Sequence, residues 1–109
     1  MTFFQTSAPL ARALAERNYD VPTPVQAAIL ASEAEGGDIL VSAQTGSGKT
    51  VAYGLAIASS VLGDEDKLKE RKPVALVVAP TRELALQVER ELAWLYEHAA
   101  TRIVACVGG

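Results

Sequence analysis

Cysteine, positive charge and long apolar runs are all scarce in this sequence, and each shortage excludes a class of protein. The 109 residues contain one cysteine, Cys106, so no internal disulfide can form, which fits a reducing cytoplasm. The most apolar stretch, residues 39–62, is interrupted by polar side chains, so no run of about 18 apolar residues could cross a membrane. The first residues lack the basic and apolar pattern of a signal peptide. We expect a cytoplasmic protein with no membrane partner.

Lysine and arginine are outnumbered by acidic residues, 10 against 13, which gives a formal net charge of −3. A protein that coats nucleic acid has the opposite balance. Any contact with nucleic acid must therefore be local and made by a few groups and helix ends. Apolar residues make up 50% of the chain, enough for a hydrophobic core, and the length corresponds to one domain at most.

Apolar periodicity and capping residues predict four helices. The first has Ser7 at its N-cap and Pro9 in its first turn. The second has Thr23 at its N-cap with Gln26 three residues later, which is the pattern of a capping box. The predicted helices cover 7–17, 23–34, 48–62 and a long segment that follows the cap Thr81 with the core stripe Leu84, Val88, Leu92 and Leu95.

Short apolar strands are predicted to alternate with these helices, at 38–42, 74–79 and 102–107. This order predicts an α/β domain with a parallel sheet flanked by helices, in which a helical region, 1–37, precedes an α/β region, 38–109. Ligands bind such sheets beyond the carboxyl ends of the strands. Unusual residues stand at each of those ends, namely a glycine-rich loop, Pro80-Thr81-Arg82 and Gly108-Gly109.

The most specific motif is Ala-Gln-Thr-Gly-Ser-Gly-Lys-Thr at residues 43–50, between a predicted strand and a predicted helix. Gly46 and Gly48 let the backbone wrap around an anion, so that successive N–H groups point at it. The following helix adds its positive N-terminal end. Lys49 can reach the β- and γ-phosphates, and the Thr50 hydroxyl can ligate Mg²⁺. The motif predicts a P-loop that binds a nucleoside triphosphate.

Four segments together resemble motifs of the DEAD-box RNA helicases. Residues 19–26, Tyr-Asp-Val-Pro-Thr-Pro-Val-Gln, resemble the Q motif of that family, and residues 43–50 resemble its motif I. Residues 80–87, Pro-Thr-Arg-Glu-Leu-Ala-Leu-Gln, resemble motif Ia, and Gly108-Gly109 resembles the GG element. The segments occur in the family's order and cover nearly the whole chain. The resemblance implies the first part of a RecA-like P-loop lobe.

The resemblance implies a site for ATP or ADP with Mg²⁺. Gln26 is expected to read the adenine edge, because a primary amide donates and accepts hydrogen bonds at once. Tyr19 would flank the base, and Phe3 or Phe4 would pack on it; Asn18 stands where the family usually has glycine. Lys49 and Thr50 would be catalytic, with Thr50 as the metal ligand. The implied nucleotide-binding residues are Phe4, Tyr19, Thr23, Gln26, Gln44, Thr45, Gly46, Ser47, Gly48, Lys49 and Thr50.

The resemblance also implies contacts with the RNA backbone. Thr81 and Arg82 would bind phosphates, because a helix start with one arginine is an anion site that does not read sequence. The paired glycines would let the RNA backbone approach closely. The implied RNA-binding residues are Pro80, Thr81, Arg82, Gly108 and Gly109.

A P-loop NTPase also needs a carboxylate from a second strand to hold Mg²⁺, and no predicted strand here ends in Asp or Glu. In the family this carboxylate belongs to the Asp-Glu-Ala-Asp motif, which would follow Gly109. We therefore expect the chain alone to bind adenine nucleotide without turnover. The resemblance also implies an incomplete sheet, in which later strands of the family's fold would lie between strands 38–42 and 74–79. An open sheet edge would allow a homodimer.

Two alternatives stay open at this point. One is a nucleotide-binding module without catalysis, and the other is a different P-loop NTPase, such as a DNA helicase or a small-molecule kinase. Equal binding of GTP and ATP would favour the second alternative and argue against the role of Gln26. Three further residues are assigned structural roles: Cys106 in the core of a strand, His98 near a helix C-terminus, and Trp94 packed within the protein.

Overall fold

The computed structural model describes residues 6–31, 39–42, 48–62 and 73–108 of the chain. Helices account for most of the regular structure in these ranges. They are α1 (Ala8–Glu16), α2 (Pro24–Ala31), α3 (Lys49–Ala56), α4 (Ala58–Leu62) and α5 (Arg82–Leu95).

The first helix begins and ends where the sequence predicts. Ser7 occupies the N-cap position with extended backbone angles, although its side chain makes no capping hydrogen bond and its Oγ is buried without a partner. At the other end Asn18 adopts a left-handed φ of 60°. The Asn18 N–H donates to the Ala15 carbonyl and the Tyr19 N–H to the Leu14 carbonyl, both at 3.0 Å, which is the Schellman pattern. Asparagine tolerates the left-handed region better than other non-glycine residues do, so it replaces glycine here.

The predicted helix over 48–62 is present but divided. Helix α3 ends at Ala56, Ile57 adopts angles of −90° and −2°, and α4 then continues to Leu62. The Ile57 N–H still donates to the Tyr53 carbonyl, and the Ile57 carbonyl accepts from the Val61 N–H. The division is therefore a local distortion, because helical hydrogen bonds continue on both sides of Ile57.

Helix α3 lies at the centre of the described residues, with α2 and α5 packed against it and α1 packed against α5. Helix α5 approaches the backbone of α3 closely at Gly54, where an added Cβ would lie 2.7 Å from Leu95 Cδ2 and 3.0 Å from Leu92 Cδ2. The Tyr96 hydroxyl donates to the Gly54 carbonyl across the same contact, at 2.5 Å. The largest members of the buried core are Leu10, Leu14, Val51, Leu55, Val61, Val88, Leu92, Leu95 and Tyr96.

The prediction that Leu84 belongs to the core stripe of its helix is wrong, because its side chain is exposed. Leu84 lies in the first turn of α5, whereas the contacts with α3 at Gly54 come from Leu92, Leu95 and Tyr96 around the other end. The predicted cap of this helix is confirmed: Thr81 Oγ1 accepts a hydrogen bond from the Leu84 N–H at 3.2 Å.

The parallel sheet is not confirmed. Within the described ranges, residues 39–42, 73–79 and 101–108 contain no strand. Several of their apolar side chains are exposed, including Leu40 at 99% and Leu76 at 87%. Residues 101–108 nevertheless alternate strictly between half-buried and exposed side chains, which is the pattern of an extended segment with one covered face.

That alternation also corrects the prediction for Cys106, which is exposed and not part of the core. Even-numbered residues of the segment face outward, so Cys106 shares the exposed face with Val104, while Ile103 packs against the core cluster. In the described residues, no helix combines the length and the apolar character needed to cross a membrane.

Candidate nucleotide site

The N-terminal end of α3 is the centre of the candidate site. Gly48 is its N-cap residue and has left-handed angles of 85° and 28°, and Lys49 and Thr50 form the first two helical positions. The first N–H groups of a helix have no partner within the helix, and they carry the positive end of its dipole. The N-terminal end of a helix is a suitable place for an anion, and the P-loop motif predicts that phosphates bind at this one.

Gln26 joins this helix end to the start of α2. The Thr23 N–H donates to Gln26 Oε1 at 3.0 Å, and the Gln26 N–H donates to Thr23 Oγ1 at 3.4 Å, so the predicted capping box is present. In addition, Gln26 Nε2 donates to the Gly48 carbonyl at 3.2 Å. A buried amide is tolerated because its polar atoms are paired, and Gln26 is only 2% exposed.

Gly48 fits this arrangement for two separate reasons. Its positive φ is unfavourable for a residue with a Cβ. A Cβ built on it would also collide with Gln26 Nε2 and lie 3.2 Å from Thr23 Oγ1. The close approach of the loop backbone to the Gln26 amide thus depends on the missing side chain.

Tyr19, predicted to flank the base, is held by aromatic stacking. Its ring is parallel to that of Trp94 on α5, with centroids 5.5 Å apart and an interplanar angle of 4°. The Arg17 guanidinium lies 4.9 Å from the centroid of the Trp94 ring. Trp94 therefore packs within the protein, in agreement with its sequence assignment. The pairing of Tyr19 with Trp94 was not foreseen, since no sequence pattern connects two aromatic residues this far apart.

The described RNA-binding candidates lie at the N-terminus of α5 and, in the case of Gly108, at the end of the extended segment 101–108. Pro80, Thr81 and Arg82 are all exposed, and Glu83 adds an acidic group to the first helical turn. Gly108 has no heavy atom within 4 Å of the position of an added Cβ. Thr81 uses its hydroxyl for the helix cap, so its contribution to anion binding would come from the exposed helix end.

His98, predicted to lie near a helix C-terminus, follows the end of α5 and contacts α1. Its Nε2 lies 2.8 Å from Glu16 Oε2, and Arg12 Nε lies 3.3 Å from Glu16 Oε1. The hydrogen bond from His98 holds the pKa of Glu16 below its usual value, and the charges of His98 and Arg12 act in the same direction. This cluster joins the end of α1 to the segment that follows α5.

Several predicted site residues lie outside the described ranges. They are Phe3, Phe4, Gln44, Thr45, Gly46, Ser47 and Gly109.

Comparison with known proteins identifies the family. The family model for the DEAD/DEAH box helicase matches residues 23–109, which include the capping box, the P-loop and the start of α5. The chain belongs to the DEAD/DEAH box helicase family. Membership of this family implies a RecA-like fold.

Named relatives agree with this assignment. The chain is 36% identical over 116 residues to the ATP-dependent RNA helicase MAK5 of Coccidioides immitis, covering 94% of this chain and 15% of the relative. It is 40% identical over 103 residues to the ATP-dependent RNA helicase DeaD of Klebsiella pneumoniae, with the same shares of each chain. The ATP-dependent RNA helicase RhlB of Haemophilus influenzae is 39% identical over 103 residues, covering 93% of this chain and 25% of the relative. The chain thus spans a quarter or less of these helicases.

Proposed function

We propose that this chain is the adenine-nucleotide-binding part of an ATP-dependent RNA helicase. The observation that carries the proposal is the connection between Gln26 and Gly48, because it joins the predicted adenine reader to the helix end that would hold the phosphates. Lys49 would neutralise phosphate charge, and Thr50 would ligate Mg²⁺ bound to the triphosphate. The whole protein would use ATP to remodel or unwind RNA duplexes in the cytoplasm, as an ATP hydrolase.

The hydrogen bonds of Gln26 restrict how it could read adenine. The side-chain oxygen of Gln26 already accepts from the Thr23 N–H in the capping box, and the side-chain nitrogen already donates to the Gly48 carbonyl. The oxygen keeps one further lone pair and the nitrogen one further hydrogen, so two contacts to a base are still available. At 2% exposure the amide must become accessible for those contacts to form, through a movement of its surroundings.

Calorimetric titration with ATP, ADP and GTP tests the nucleotide proposal. The purified chain should bind ATP and ADP in the presence of Mg²⁺ and bind GTP more weakly. Lys49→Ala should weaken ATP binding at least tenfold, because it removes a positive charge next to the phosphates. Arg90→Ala, which changes an exposed residue on α5, serves as the matched control and should leave the affinity unchanged.

Equal binding of ATP and GTP would contradict the role of Gln26 and favour another P-loop NTPase. We also propose that the chain alone does not hydrolyse ATP, since none of its predicted strands ends in a carboxylate that could hold Mg²⁺. RNA-stimulated phosphate release from the pure chain would contradict this, whereas binding without release would distinguish it from a catalytically complete domain.

We propose that the N-terminus of α5 binds RNA phosphates without reading sequence. Its support is the exposed position of Pro80, Thr81 and Arg82 at a capped helix start. A salt titration of RNA binding should give a shallow slope, because the number of phosphate contacts is small. Arg82→Ala should reduce that slope by about one. A slope that is unchanged in the variant would show that Arg82 does not contact phosphate.

We further propose that the predicted strands, 38–42, 74–79 and 102–107, belong to a parallel RecA-like sheet in the whole protein. The alternating burial of 101–108 supports this for the last segment, and the exposed apolar side chains of the other two would be covered by the helices that flank a parallel sheet. Slow amide hydrogen exchange in all three segments of the whole protein is the expected result. Fast exchange in them would contradict a sheet. The predicted homodimer receives no support from the relatives.

A further inference from the structure

The single tryptophan of the chain, Trp94, lies in the last turn of α5 and ties that helix to the segment that follows α1. Its ring stacks on Tyr19, with an interplanar angle of 4°, and the Arg17 guanidinium lies 4.9 Å from its centroid. Offset or parallel aromatic pairs at this centroid distance are favourable beyond the area they bury, and a guanidinium near a tryptophan ring adds to the attraction. Three residues from two distant parts of the chain therefore form one surface cluster.

The position of Tyr19 gives this cluster its importance. Tyr19 lies directly after the left-handed residue Asn18, and its N–H closes the end of α1 by donating to the Leu14 carbonyl. Four residues later Thr23 begins α2 and forms the capping box with Gln26. The stacked ring thus holds one end of a short connection whose other end contacts the P-loop helix.

The exposure of Tyr19 matters as well. Its side chain is 44% exposed, although Trp94 lies parallel to its ring. Within the connection from 18 to 23, Pro22 is the only buried residue, so packing elsewhere in that connection is sparse. Without the stack, Tyr19 would be free to rotate and the connection would lose a main side-chain anchor.

We propose that Trp94 is a positioning residue for the adenine end of the nucleotide site, acting through Tyr19. The stack holds Tyr19 and the connection to Thr23 in the one conformation that places them beside the base, so that this conformation need not be selected when nucleotide binds. The benefit applies to the base and not to the phosphates, which the N-terminal end of α3 would bind. This inference rests on the proposed function, since it requires that the chain bind adenine nucleotide.

A purely structural role for Trp94 makes a different prediction. The bond between His98 and Glu16 also holds α1 on the end of α5, at 2.8 Å, and does not involve Tyr19. If docking of the two helices were all that mattered, loss of either tie would have the same effect. If Trp94 positions Tyr19, only loss of the stack affects the base.

Binding measurements on Trp94→Ala, Trp94→Phe and His98→Ala distinguish these roles, with ATP, GTP and inorganic tripolyphosphate as ligands. Trp94→Ala should bind ATP about fivefold more weakly, the size expected for one lost aromatic contact. Its affinity for tripolyphosphate should be unchanged. Its preference for ATP over GTP should fall, because the connection that the stack holds ends at Thr23, the capping-box partner of the adenine reader Gln26. Trp94→Phe, which keeps a stacking ring, should restore most of that preference, and His98→Ala should retain all of it.

A loss of tripolyphosphate binding equal to the loss of ATP binding would overturn the proposal, as would an equal loss of preference in His98→Ala. If the unmodified chain binds no adenine nucleotide, the proposed function fails, and this inference fails with it. If the unmodified chain prefers ATP and Trp94→Ala keeps that preference, the inference alone fails.

A double-mutant cycle with Tyr19→Ala gives a second test, and Tyr19 is exposed enough that its replacement should leave the fold intact. Because Trp94 is proposed to act through Tyr19, the double variant should lose no more ATP affinity than Tyr19→Ala alone. Additive losses would show that Trp94 acts by another route and would overturn the proposal. Circular dichroism of each variant should match that of the unmodified chain.

Discussion

At the scale of single residues, Gln26 and Gly48 depend on each other. The Gln26 amide is buried and paired on both sides, and one of its partners is the carbonyl of a glycine whose missing Cβ leaves the necessary space. The resemblance to the helicase family implied a nucleotide role for both residues. Their direct hydrogen bond is a property of the tertiary structure, because the two lie 22 positions apart.

Gly48→Ala should destabilise the chain by about 1–3 kcal/mol, from the cost of a left-handed alanine and the displacement of the Gln26 amide. Nucleotide binding should weaken in the same variant. Urea unfolding and calorimetry measure the two effects. Gly108→Ala is the matched control, since an added Cβ there meets nothing within 4 Å, and it should leave stability unchanged or slightly higher. Equal stability of both variants would contradict the predicted collision.

At the scale of elements, the contact between α3 and α5 depends on close approach. Gly54 lets Leu92 and Leu95 reach the backbone of α3, and the Tyr96 hydroxyl donates to the Gly54 carbonyl at the same place. Burial raises the pKa of Tyr96 to about 12, because the ionised phenolate is poorly solvated there. This contact connects the helix that would hold the phosphates to the helix that would contact RNA.

The raised pKa of Tyr96 predicts a loss of stability in alkali. In the unfolded chain the phenol has its ordinary pKa of 10.0, whereas in the folded chain the pKa is about 12. Stability should therefore be unaffected below pH 10 and fall as the pH rises from about 10 to about 12. Tyr96→Phe should remove this dependence and cost about 1 kcal/mol at neutral pH through the lost hydrogen bond.

Thermal unfolding at a series of pH values, with phenolate absorbance recorded in parallel, checks this prediction. Tyr53→Phe is a suitable control because Tyr53 is half-buried on α3 and has no hydrogen bond to Gly54 among those described. The loss of stability at alkaline pH should persist in Tyr53→Phe. Persistence of the same loss in Tyr96→Phe would assign it to another group.

At the scale of the whole molecule, the described helices share a buried core, whereas many apolar side chains of the described extended segments are exposed. The buried cluster draws on α1, α3, α4 and α5, while Leu76 and Val78 of the extended part are exposed at 87% and 83%. Contiguous exposed apolar surface is typical of a surface that a partner or another part of the protein covers.

Replacing both Leu76 and Val78 by serine should reduce self-association of the chain without lowering its nucleotide affinity. The substitutions remove exposed apolar surface and leave the helical core intact. Light scattering and the binding of an apolar dye measure the effect over a range of protein concentrations. Gln87→Ser, at an exposed polar position on α5, should change neither reading. Association that is unaffected by the double substitution would place the contact surface elsewhere.

Short-range patterns in the sequence predict the helix caps and the family of this protein. The predicted helix caps at Thr23 and Thr81 are confirmed, because a capping interaction spans three residues and needs no distant partner. The motifs also identified the family, and the family match confirms this. The interruption at Ile57 and the exposure of Leu84 were not predicted, because apolar periodicity shows which face of a helix can be buried and not how far its neighbour extends.

Tertiary structure alone decided the contacts between distant segments. The bond from Gln26 to Gly48, the stack of Tyr19 on Trp94 and the bond from Tyr96 to Gly54 each join residues that lie 22 or more positions apart. Such pairs leave no periodic trace in a single sequence, because they depend on how helices cross in space. The sequence by itself determined that the chain carries a P-loop motif and belongs to a helicase family. The packing of α2 and α5 against α3, and of α1 against α5, decided which side chains contact Gly48 and Tyr19.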